Sequence, residues 1–237
     1  MVMGLRARAT ATPRRAEGPG EVEESERSHA ELGAWLRLAP LLTEYLPFPT
    51  GSLRAAALTR VLDEVALGDR SVLLECGCGW SSVVIARFLA RRGFGRLLSL
   101  EDDGERAAFV TTQLRREGLT EVARVVHAPL APHPGSVDDL PWYEPGQVFE
   151  MVTRYVDRNG LIDLVLVDGP HGGPGGGLIR YPVLPVVRNA LAPGAVVLLD
   201  DADRAGEQAV IRHWTTEFGL RFTRDGTSGL AAATLTV

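Results

Sequence analysis

The chain alternates short apolar runs with stretches in which apolar residues recur at every third or fourth position. Residues 72–74, 97–100, 123–127, 161–167 and 195–199 read as strands. Residues 30–46, 53–65, 83–92, 105–117, 149–158, 181–191 and 205–218 read as helices, the first carrying the stripe Leu32, Trp35, Leu36, Leu38, Leu41, Leu42 and Tyr45. The run PFPTGS separates the first two helices, and five prolines mark residues 129–145 as an ordered loop. The run LIDLVLV, apolar on both faces apart from Asp163, suits a central parallel strand covered by helices. The last residues, 221–237, read as a closing β-hairpin. Strands alternating with helices predict an α/β fold with a mostly parallel sheet. Residues 1–28 hold scattered arginines and then EVEESE, with too little apolar surface to offset ordering, and are expected to form a flexible tail.

The first strand runs into ECGCGWSS, an acid followed by a Gly-x-Gly turn and a helix. Leu97, Leu98, Ser99 and Leu100 then lead to Glu101, 22 residues beyond Gly79. An acid at about 20 residues from such glycines reaches a ribose hydroxyl in Rossmann-type units. Two features differ from a dinucleotide fingerprint: Ser82 stands where a third glycine belongs, and Glu75 precedes the turn. A carboxylate there disfavours pyrophosphate and suits a ligand with a positive end.

Composition narrows the chemistry. The 237 residues allow one large domain plus a tail, and 45% hydrophobic content supplies a core. A net charge of -5, with no long basic run, argues against nucleic acid and favours a small-molecule partner. All 25 basic residues are arginine, which removes Schiff-base and Walker-lysine chemistry and leaves His, Asp, Glu or Tyr as a general base. Cys76 and Cys78 are too close for an unstrained disulfide and read as turn residues in a reducing compartment. With no apolar run near the ~20 residues of a membrane span and no apolar leader, no membrane is involved and a cytoplasmic location is expected. Self-association as a homo-oligomer stays open.

Residues 71–82 together with Glu101 resemble motif I of the class I S-adenosylmethionine-dependent methyltransferases. The resemblance implies a Rossmann-like, seven-stranded, mostly parallel sheet with helices on both faces and a C-terminal antiparallel hairpin. It makes residues 70–237 the S-adenosyl-L-methionine-binding core and 29–69 helices over the substrate mouth, with Tyr45, Phe48 and Ser52 as substrate neighbours or packing residues. Glu75, Gly77, Gly79, Ser81, Ser82, Glu101, Asp102, Ala128 and Asp168 are the implied cofactor contacts, Glu101 at the ribose and Ala128 against the adenine.

Asp168, Asp200 and Asp201 end consecutive strands of this reading. Three like charges at one sheet edge repel unless neutralised, and a hard divalent cation such as Mg2+ does so through oxygen. A plainer alternative has Asp168 binding the cofactor's amino group and Asp200 and Asp201 capping the next helix. The pattern over residues 70–205 resembles the metal-dependent O-methyltransferases of the macrocin and catechol groups, whose metal ligands match Asp168, Asp200 and Asp201. Pro170 stands where the macrocin-like group tends to carry an acid, and His171 where the catechol group has a lysine base. His171 is therefore the expected base, with His127 as fallback, and glycines 172, 173 and 175–177 suggest a lid with Arg180 and Tyr181 at its base. The function expected is methyl transfer to a hydroxyl of a small metabolite, a sugar or phenolic natural product. A nicotinamide-dependent oxidoreductase and a non-catalytic cofactor-binding protein are the alternatives.

Overall fold

The computed structural model describes residues 19–137, 139–171 and 177–235. Helix α1 (Pro19–Leu38) and a 3-10 turn (Ala39–Leu41) lead to α2 (Ala55–Leu67). Then follow β1 (Val72–Cys76), α3 (Trp80–Arg92), β2 (Arg96–Glu101), α4 (Gly104–Arg116), β3 (Ala123–His127), β4 (Leu130–Pro132), β5 (Pro141–Tyr143) and α5 (Pro145–Asn159). The chain closes with β6 (Ile162–Val167), α6 (Val183–Val187), β7 (Leu191–Leu199), α7 (Ala205–Phe218), β8 (Thr223–Arg224) and β9 (Ala231–Thr234). Among the described residues no helix is long and apolar enough to cross a membrane.

The main sheet has seven strands in the order β3-β2-β1-β6-β7-β9-β8. Its first five are parallel, and β9 joins β7 antiparallel, with β8 paired to β9. Alternation along the central strands divides the core in two. Leu73, Leu164, Leu166, Val196 and Leu198 pack with α1 to α4, while Leu74, Val165, Val167, Val197 and Leu199 pack with α5 to α7. Asp163 supplies the polar start of β6: its carboxylate accepts the Ser71 and Val72 amides at 2.7 and 3.1 Å, fixing where β1 begins.

Four expectations change, the first being the helix read at 30–46, which ends at Leu38 and gives way to a 3-10 turn where Pro40 carries no N–H. The expected tail overlaps α1, which already runs at Pro19, because proline tolerates the first helical turn and acids suit a helix N-terminus; residues 1–18 lie outside the described residues. Glu31 on α1 caps α2 by accepting the Ala55 and Ala56 amides at 2.8 and 3.0 Å. The helix expected at 181–191 shrinks to the five residues of α6 and a 3-10 turn (Arg188–Ala190), as Pro182 and Pro185 carry no N–H for a helical ladder. The segment read as a loop holds the antiparallel ribbon β4–β5, which buries Trp142 and Tyr143 completely.

Candidate active site

The carboxyl ends of β1, β2, β6 and β7 share one edge, and the turn after β1 packs on the turn after β6. Gly77 has a φ of +89°, and a Cβ on it would stand 3.0 Å from the Asp168 carbonyl carbon and the Gly169 nitrogen. Gly169 is as tightly placed, since a Cβ on it would stand 2.8 Å from Gly77 Cα. Two bare glycines thus bring Asp168 against the motif turn. At Gly79 a Cβ would meet nothing within 4 Å, so the turn opens there into free space.

That space is a cleft of about 390 Å³, within the usual range for small-molecule sites. Cys78, Gly79, Trp80 and Ser81 form its floor, Arg106 and Phe109 of α4 one wall, and residues 49–53 another. Asp168 and His171 close its far side. The wall at 49–53 is anchored by Trp80, whose indole N–H donates to the Leu53 carbonyl at 2.8 Å. Ser52 is therefore at the cleft as expected, whereas Tyr45 is 89% exposed and Phe48 packs edge-on against Trp35 and Trp80.

The motif acids sit under the cleft. Glu75 is fully enclosed and accepts the hydroxyls of Ser81, Ser82 and Ser99 at 2.6, 2.5 and 2.6 Å. Burial raises its pKa against those hydrogen bonds. Ser82 also accepts the Gly79 amide at 3.1 Å. Glu75 and Ser82 thereby hold the turn in shape. Glu101 is likewise buried, with Cys78 and Asp103 amides on its two oxygens at 2.8 and 2.9 Å and Arg106 at 3.6 Å. Burial raises its pKa as well. Each oxygen keeps a lone pair for another donor. Ala128 is buried at the neighbouring strand end, its amide donating to the Glu101 carbonyl at 2.7 Å.

His171 is exposed along one side and lines the cleft with the other. Desolvation there, with the charges of Arg180 and Arg106, lowers its pKa, while Asp102 opposes them. His127 packs against Gly104 and is not part of the cleft lining. Of the glycine lid, 172–176 lie outside the described residues.

Asp168, Asp200 and Asp201 do converge: a carboxylate oxygen from each lies within 4.8 Å of the others. Burial first, and then the neighbouring Asp200, push the Asp168 pKa far above the carboxylate range; burial and Asp201 push Asp200 up to about 6. Sequence reasoning set Arg180 only at the base of a lid and missed its place in this cluster. Arg180, 2% exposed, points into the cluster, 3.3 Å from Asp201 Oδ2 and 3.7 Å from Asp168 Oδ1. Arg204 meets the same Asp201 oxygen at 2.7 Å. The one available signal was a lone arginine inside the apolar stretch LIRYPVL. The Tyr143 hydroxyl, buried beside Gly169 without a hydrogen-bond partner, was also missed, since its segment read as loop.

Residues 74–202, more than half of the chain, match the family model described as a methyltransferase domain. The chain belongs to this methyltransferase family. Among solved structures it is similar to the O-methyltransferase TomG of Streptomyces achromogenes, involved in tomaymycin synthesis and solved with S-adenosylmethionine: 21% identity, 90% of each chain covered, TM-score 0.54. It is also similar to the Podospora anserina methyltransferase PaMTH1, bound to S-adenosylhomocysteine (11% identity, 97% of this chain and 100% of that one, TM-score 0.59). A Bacillus cereus O-methyltransferase with S-adenosylhomocysteine is similar at 15% identity, covering 89% and 90%, TM-score 0.52. At these identities the likeness shows the fold. No curated protein sequence matches the chain.

The donor types suit both groups that the fold implies, but their positions treat the two differently. For S-adenosylmethionine the open cradle at Gly79, the lone pairs of Glu101 and the unpartnered, buried Asp168 Oδ1 fit. For Mg2+ the carboxylates fit by type, yet Asp201 Oδ2 already faces two guanidinium groups. An ion at the usual ~2.1 Å from that oxygen would stand within about 5.4 Å of Arg180 Nη2, itself 3.3 Å from the same atom. At an effective dielectric of about 20 that repulsion is about 6 kcal/mol, set against the attraction of whichever carboxylates stay ionised. As placed, Asp201 is committed to two arginines and is not free to serve a divalent ion.

Proposed function

We propose that the chain transfers the methyl group of S-adenosyl-L-methionine to a hydroxyl of a small metabolite, such as a sugar or a phenolic natural product. The observation that carries this reading is one cleft with an open glycine cradle on its floor and a histidine of lowered pKa across from it. The cofactor supplies an electrophilic methyl on a sulfonium.

The protein's part is positioning and proton removal. Ser81 and Gly79 form the surface on which the donor lies, held by the Glu75 hydrogen bonds beneath. Glu101, buried beneath the Cys78 amide that it holds, would take the ribose as the resemblance implies, and Arg106 and Phe109 line the cleft. His171, kept neutral by its surroundings, accepts the acceptor's hydroxyl proton at an imidazole nitrogen as the oxygen attacks. Holding acceptor and donor in line supplies much of the rate. The Mg2+ that the resemblance implies has no step here, because Asp201 is already engaged by Arg180 and Arg204.

Calorimetric titration with S-adenosylmethionine, S-adenosylhomocysteine and a nicotinamide dinucleotide tests the cofactor. Saturable binding of the first two and none of the third supports the reading; the reverse restores the oxidoreductase alternative. Incubation with a methyl-labelled donor and a panel of hydroxylated acceptors then separates an enzyme from a protein that only binds.

A further inference from the structure

Three carboxylates meeting at a buried sheet edge are relieved by a proton, a cation or both, and this chain supplies a cation of its own. We infer that Arg180 is the permanent counter-ion of the Asp168, Asp200 and Asp201 cluster and that it excludes a divalent cation from it.

The guanidinium is held from three elements at once. Its Nη1 donates to the Asp200 carbonyl at 3.0 Å and lies 3.4 Å from Glu207 of α7. Its Nη2 donates to the Asp168 carbonyl at 3.1 Å and to Asp201 Oδ2 at 3.3 Å, and stands 3.7 Å from Asp168 Oδ1. The two carbonyls matter most. They accept whatever the ionisation of the carboxylates, so swinging the side chain out would leave two buried carbonyl groups unpaired. The backbone is fixed as well: Leu178, Ile179 and Tyr181 around it are buried, and the Trp214 indole donates to the Tyr181 carbonyl at 2.9 Å. An arginine so placed stays charged. Its Nη2 lies close to both Asp201 Oδ2 and Asp168 Oδ1, and Arg204 reaches the same Asp201 oxygen. A divalent ion that bridged the aspartates would be pressed against a cation that has no room to leave.

That the site works without a divalent ion rests further on the methyltransferase reading; that it does not bind one rests on the geometry alone. The test therefore measures metal binding. Mn2+ is titrated into the chelator-treated full chain, with and without S-adenosylhomocysteine, and the free ion is followed by electron paramagnetic resonance. The wild-type chain is expected to show no saturable site with a dissociation constant below about 1 mM. R180Q is expected to gain one at least about tenfold tighter than any wild-type binding, while R180K, which keeps the charge, gains none. A wild-type site below that limit that D168N abolishes overturns the inference, as does a folded R180Q that gains no site. Should R180Q fail to fold, the wild-type titration decides alone, absence of a site upholding the inference and its presence ending it. A wild-type chain that binds neither Mn2+ nor S-adenosylhomocysteine would sink the methyltransferase reading and leave the metal exclusion standing.

Discussion

A positive φ and a missing Cβ at Gly77 are what let the β1 and β6 turns touch. Gly77→Ala should cost about 1–2 kcal/mol for the left-handed backbone, with more for the 3.0 Å contact to the β6 turn. Urea unfolding measures that loss, and titration with S-adenosylhomocysteine should weaken with it. At His171 the sign follows from the direction of the shift. A lowered pKa keeps the ring neutral below the ordinary histidine value near 6.5, so activity should persist into mild acid and fall as pH drops through the shifted value. His171→Gln should remove that acid limb from the kcat profile along with most of the rate, about 10²-fold. The meeting of Asp168, Asp200 and Asp201 was legible because strand ends of a parallel sheet share an edge. The enclosure of Glu75 was not, since Ser81 and Ser82 come from α3 and Ser99 from the paired strand in register with it. The role of Arg180 was equally out of sight, because two of its acceptors are backbone carbonyls, which no side-chain pattern reveals.

Among elements, the sheet was readable from apolar runs and the helices from their period, apart from the places where proline intervenes. Pro182 and Pro185 cut α6 short, while Pro132 and Pro141 proved compatible with the ribbon β4–β5. Alpha-helical packing of the N-terminal segment depends on two side chains that periodicity does not reveal. Glu31→Ala should cost about 1 kcal/mol by uncapping α2, read as a drop in the urea midpoint with m unchanged. Arg87 of α3 is the second. It binds Glu117 through two bonds of 2.6 and 2.7 Å and the Leu41 carbonyl at 2.8 Å, joining α3, the end of α4 and the 3-10 turn after α1. Arg87→Ala should cost about 3 kcal/mol. The Arg87 partner holds the Glu117 pKa below its ordinary value. Its stabilisation is therefore present above the unfolded carboxylate value and lost as pH falls through the lower folded one, a limb that the variant should lack in acid unfolding curves.

For the whole molecule, the consequence of one cleft at one sheet edge is a coupling between ligand and fold. S-adenosylhomocysteine at about 100 times its dissociation constant should raise the unfolding free energy by about 2.7 kcal/mol, and addition of a chelator should leave that increment unchanged. The cleft also carries its own reporter. Trp80 lines it and stacks on Trp35 with ring centroids 5.2 Å apart, whereas Trp142 and Trp214 are sealed in the other half of the core. One indole in the cleft, a second stacked on it and two shielded from it make the native emission spectrum an unlabelled, reagent-free gauge of occupancy, with the shielded pair as a constant internal standard.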